Sequence, residues 1–170
     1  MRELSALDGN PRTDQRLVQI KAVSAASLAR ITPRAVVLPA LADAKAELAT
    51  PADGQPQQIG LARAIGDAAD PAATAALLDW KVGADGRRRA AISLTSPAAK
   101  GLRLGLLVAQ LPPGTKLRVY APDAADRTEV DGAQVLRNLQ QNLDAGASGA
   151  DAYTYWLPTV EGDTTVLEFD

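Results

Sequence analysis

The 170-residue sequence contains no histidine and no cysteine. Without an imidazole, no Ser-His-Asp or Cys-His hydrolase can be assembled from it, and no histidine-ligated zinc site. Without a thiol, thiolate catalysis, disulfides and cysteine-ligated metals are also excluded; compartment is not, because many bacterial secreted proteins lack disulfides. A large excess of either charge is missing too. The net charge is −2, so no global basic field exists to hold nucleic acid. No run of about 20 apolar residues is present, which argues against membrane insertion through a helix. Met1-Arg2-Glu3-Leu4 opens no signal-like apolar stretch, so a cytoplasmic protein and a chain starting after a removed signal both fit. Aromatics number only six, namely two Trp, three Tyr and one Phe.

Hydrophobic residues make up 46% of the chain, but much of that is alanine. The core must therefore come from Leu, Ile, Val and the few aromatics. The length suits one domain. Residues 1–16, polar and carrying Gly9 and Pro11, read as a flexible leader, and 17–170 as a single domain.

Short alternating segments dominate. Residues 17–23 fit strand or helix. Ala35-Val36-Val37-Leu38, between Pro33 and Pro39, predicts a short edge strand. Leu41 to Ala49 predicts a short helix, and Gln58 to Ile65 a half-buried strand. Leu78, Trp80 and Val82 alternate before Gly83-Ala84-Asp85-Gly86, and Ile92 and Leu94 follow, which is a hairpin pattern. Leu102 to Leu111 predicts one longer strand, Pro112-Pro113-Gly114 a turn, and Lys116 to Tyr120 another strand. Val135, Leu136, Leu139 and Leu143 recur at helical spacing between a capping Asp131 and a terminating Gly146. A final hairpin is expected, with Tyr153, Tyr155 and Leu157 on one face, Trp156 on the other, and a turn at Glu161-Gly162-Asp163. The sum is a mainly-β fold, an antiparallel β-sandwich of jelly-roll-like type with one or two short helices.

No catalytic, cofactor or metal residues emerge. Arg87-Arg88-Arg89 reads as the solvated shoulder of a hairpin turn rather than a phosphate contact or processing site. Asp123, Asp126, Glu129 and Asp131 lack the spacing of a calcium loop and read as turn and cap residues, as do Asp67 and Asp70. Glu161 and Asp163 sit at a wet turn tip, unsuited to raising a carboxyl pKa. Ser93 and Ser96 have no histidine; a Ser-Lys pair with Lys100 is the weaker reading beside strand-end solubility. The aromatic set Tyr153, Tyr155 and Trp156 is the one candidate partner surface, because alternation sends part of it away from a one-sided core.

Several segments in order carry a resemblance. They are Leu38-Pro39-Ala40-Leu41, Gln58-Ile59-Gly60-Leu61-Ala62-Arg63, Trp80-Lys81, Ile92-Ser93-Leu94-Thr95-Ser96-Pro97, Gly101-Leu102-Arg103-Leu104-Gly105-Leu106, Leu111-Pro112-Pro113-Gly114-Thr115, Leu117-Arg118-Val119-Tyr120 and Tyr155-Trp156-Leu157-Pro158-Thr159-Val160-Glu161-Gly162-Asp163. Together, over roughly residues 35–170, they resemble the N-terminal pro-region of secreted bacterial trypsin-like serine endopeptidases of the lysyl endopeptidase type. The resemblance implies a non-catalytic, secreted or periplasmic pro-domain, with no cofactor, that binds the trypsin-like protease domain in cis as folding assistant and inhibitor. The alternative is a free-standing β-sandwich module binding carbohydrate or a cell-surface protein through exposed aromatics; an enzyme using carboxylates alone ranks below both.

Overall fold

The computed structural model describes residues 21–24, 31–40 and 60–170. Strands carry the architecture, as the alternation predicts. β1 (Lys21–Ser24), β2 (Arg34–Val37), β4 (Arg88–Thr95), β7 (Lys116–Tyr120), β8 (Asp126–Asp131) and β11 (Thr164–Phe169) form one sheet in the order β1-β8-β7-β11-β4-β2. The short β3 (Lys81–Val82) joins it by pairing with β4. All pairings are antiparallel except β2 with β4, where Val36 lies beside Leu94. The edge position expected for this segment holds, and the sheet is mixed rather than wholly antiparallel.

Strand alternation gives the sheet two different faces. One is apolar: Ile92, Leu94, Leu117, Val119, Val130 and Leu167 are all buried there. Helix α2 (Gly132–Asp144) lays Val135 and Leu139 against it, and Tyr155 and Leu157 complete the cluster. A second cluster joins Val36, Ile92 and Leu94 to Ile65, Leu77 and Leu78, beside helix α1 (Pro71–Leu77). Leu104 packs against both clusters.

The expected strand over 102–111 is instead split into β5 (Gly101–Leu102) and β6 (Gly105–Leu107). β6 pairs with β9 (Thr154–Trp156), and β5 with β10 (Val160–Glu161). The cause lies in the facing chain. Pro158 has no amide to donate, and three residues there (157–159) face two (103–104), so the ladder bulges and breaks. The final hairpin is thus only partly as expected. The chain does turn at Gly162 (φ 98°) into β11, but β9 pairs with β6. The hairpin from β3 to β4 forms, with Gly86 at φ 74° in its turn.

Asp131 stands at the N-cap of α2 with extended dihedrals, yet its side chain caps nothing. Carbonyls of the turn before β7 do the work: Gly132 N donates to Thr115 O (2.7 Å) and Ala133 N to Pro113 O (3.1 Å). The approach is close enough that a Cβ on Gly132 would lie 2.6 Å from Pro112 O. Asp70, by contrast, does cap α1, accepting from Ala73 N at 2.8 Å. A short helix α3 (Gly149–Ala152) leads into β9. Residues 60–65 contain no strand, and the expected helix over 41–49 lies outside the described residues.

Candidate functional site

The other face of the sheet is charged and yet buried. Arg118 of β7 donates three ways, from Nε to Glu129 Oε2 (2.8 Å), from Nη1 to Glu168 Oε1 (2.6 Å) and from Nη2 to Asp170 Oδ2 (2.8 Å). Arg127 of β8 reaches Glu168 Oε2 at 2.7 Å and stacks on the Tyr120 ring, 4.3 Å from its centroid. Lys116 adds a 2.6 Å bond to Glu129. Cross-strand register explains the gathering, since Arg118 faces Glu129 on one side and Glu168 on the other.

Asp170 extends the network. Its carboxylate also takes Arg87 Nε, while Arg89 Nε lies 3.3 Å away without the alignment of a hydrogen bond. Arg89 instead pairs with Asp85 through the β3–β4 turn. The basic run therefore divides: Arg87 and Arg88 are exposed, but Arg89 is buried and is no solvated shoulder. Arg88 stacks over Trp80.

This arrangement is structural rather than catalytic. Burial pushes the Glu129 and Asp170 carboxyls up, but the donors outweigh it (Lys116 and Arg118 for Glu129, Arg118 and Arg87 for Asp170) and hold both below the usual carboxylate range. A general acid at neutral pH needs the opposite shift. Burial, with the Glu168 charge, pushes the Tyr120 hydroxyl up to about 12, so it stays neutral. The acidic group at 123–131 is accordingly reassigned: Asp126 to Asp131 form strand β8, and Glu129 is an ion-pair partner. Among the described residues no cluster of His, Cys, Asp or Glu could hold a metal ion.

The aromatic segment also divides, as its alternation predicts for Tyr155 and Leu157 against Trp156, but not for Tyr153. Tyr155 is 7% exposed and belongs to the core, so it cannot meet a partner. Tyr153 precedes β9 at the end of α3 and is 48% exposed, so it does not share Tyr155's face. Trp156 is 51% exposed. Its indole rests on Gly105, where an added Cβ would lie 3.0 Å from Cζ3, and Arg103 stacks on it at 5.6 Å. Leu107, exposed, lies on the same outward side of β6 as Gly105. The sequence pattern puts Arg103 outward and Leu107 on the second face of one strand over 102–111 covered on both sides, so it marks neither of them, nor Gly105, as a neighbour of Trp156.

Ser96 is buried and accepts from Arg63 Nη1 at 3.2 Å, and among the described residues no hydrogen bond joins it to Lys100. No helix among the described residues is long and apolar enough to cross a membrane.

A family model described as the lysyl endopeptidase N-terminal domain matches residues 31–170. The chain belongs to that family. The match spans the main sheet from β2 to β11, both short ribbons and helices α1, α2 and α3. It therefore includes the ion network and the Trp156 ribbon as parts of the lysyl endopeptidase N-terminal domain. Searches of curated proteins and of solved structures find no match. Membership identifies the chain as a domain of protease precursors and supports the resemblance drawn from the ordered segments.

Proposed function

We propose that this lysyl endopeptidase N-terminal domain is a non-catalytic pro-domain of a secreted trypsin-like serine protease. It binds the protease domain in cis, assists its folding and blocks its cleft. The family match carries this reading. A trypsin-like protease is a β-rich fold with many long-range pairings, and such folds form slowly. A rigid complementary surface lowers that barrier, and the buried ion network supplies rigidity to one side of the sheet.

The contact surface is the Trp156 ribbon, with Tyr153 and Leu107 beside it; Tyr155 supports it from the core. Trp and Tyr at half exposure are the side chains that interfaces bury to best effect. The boundary expected at residue 17 between leader and domain lies outside the described residues. Mixing the chain with its cognate trypsin-like domain will inhibit peptide cleavage or speed refolding of denatured protease. Failure of both at saturation sinks the proposal. The half-exposed indole of Trp156 also suits stacking on a sugar ring, and a glycan screen with Trp156→Ala as control tests that second reading.

A further inference from the structure

Three lysines lie within residues 60–170, and the fold protects them unequally. Lys81 lies in β3, opposite Arg89 of β4, with its ammonium 2.9 Å from Asp79. Lys116 lies in β7, between β8 and β11, and exchanges main-chain hydrogen bonds with Asp170. Lys100 stands in the turn between β4 and β5, exposed, with no ion pair among the described residues. Ala98 in this turn has φ 64°, a left-handed conformation that costs a residue with a Cβ. Around the bond after Lys100 sit Ala98, Ala99 and Gly101, so little side chain must be withdrawn to open it.

A protease binds its substrate as an extended segment, so a folded chain is cut where a few residues open without taking a sheet with them. Opening at Lys100 disrupts the Ala99 N to Ser96 O and Gly162 N to Lys100 O bonds and the two-residue ladder of β5 with β10. Opening at Lys116 must tear β7 from two neighbours and break the Glu129 pair.

We propose that the Lys100–Gly101 peptide bond is a processing site, at which a lysine-specific serine endopeptidase nicks the folded domain. This rests on the reading of the chain as the pro-domain of a trypsin-like protease, taken to be of the lysyl endopeptidase type. The protease serine oxygen attacks the Lys100 carbonyl carbon, and the bond to the Gly101 nitrogen breaks. The nitrogen takes a proton and leaves as the amine. One water then hydrolyses the acyl ester, leaving the Lys100 carboxylate and the free serine. The two fragments stay joined through the six-residue register of β4 with β11. The nick frees the start of the segment carrying Arg103 and Gly105, which support Trp156, and so loosens the contact surface.

The test uses the full chain carrying Lys21→Arg and Lys45→Arg, digested sparingly with a lysine-specific endopeptidase and followed by intact-mass spectrometry. The expected first products are 1–100 and 101–170. Adding Lys100→Arg, with an unchanged melting curve, slows loss of the intact chain by about tenfold or more. A first cut after Lys81 or Lys116, or equal cutting of the Lys100→Arg chain, overturns the proposal. Inhibition of the cognate protease domain is measured in parallel. Inhibition that decays equally fast with and without Lys100→Arg refutes the nick as a release device and leaves the pro-domain reading standing. A nick at Lys100 in a chain that never inhibits supports the site and refutes that reading.

Discussion

Replacing Arg118 with methionine should destabilise the domain more than any other substitution on the charged face. Arg118 has 4% of its side chain exposed, and its three acceptors Glu129, Glu168 and Asp170 have 7%, 0% and 2%. Breaking a buried pair from one side costs about 3–5 kcal/mol, because the stranded charge cannot return to water. Each carboxylate here keeps a second cation, namely Lys116, Arg127 or Arg87. The lower end, about 3 kcal/mol, is therefore expected. With a urea slope of about 2 kcal/mol per molar, the midpoint falls by roughly 1.5 M. Far-UV circular dichroism should report it; tryptophan fluorescence is poorly suited, since Trp80 and Trp156 are both partly exposed in the native state. Arg118→Lys keeps the charge but cannot fork to three acceptors, and should fall between. A loss under about 1 kcal/mol for Arg118→Met would refute the reasoning, because it would mean that water already solvates these carboxylates.

Other outcomes follow from the same geometry. Glu129 and Asp170 have depressed carboxyl pKa values, so their contribution to stability is present above the unfolded range near 4 and is lost as pH falls through the lower folded values. Tyr120, raised to about 12 from 10.0, contributes below pH 10 and ceases to as pH rises from there to 12. Urea midpoints measured across pH should therefore stay level between about 5 and 9 and drop at both ends; a steep slope inside that window would contradict the assignment. Gly132→Ala should cost about 1–3 kcal/mol, since its Cβ meets Pro112 O at 2.6 Å, whereas Asp131→Ala should leave the helix cap unaffected; thermal melts of the two decide both. Gly105→Ala should leave the fold intact but lift the Trp156 indole, weakening protease inhibition with little change in melting temperature.

The sequence by itself determined the local β character, the helix at 132–144, the cap at Asp70, the edge position of β2 and the absence of histidine and thiol chemistry. These depend on neighbours along the chain, through alternation, helical spacing and residue inventory. Only the tertiary structure decided that β8 is a strand, because its charged positions Arg127 and Glu129 face inward. A pattern that equates charge with solvent fails where cross-strand register supplies opposite charges to pair with. It also took the fold to bury Tyr155, place Tyr153 elsewhere and set Trp156 on Gly105. The partner of β9 is β6, some fifty residues earlier in the chain, and no periodicity within a segment encodes which distant strand will pair with it.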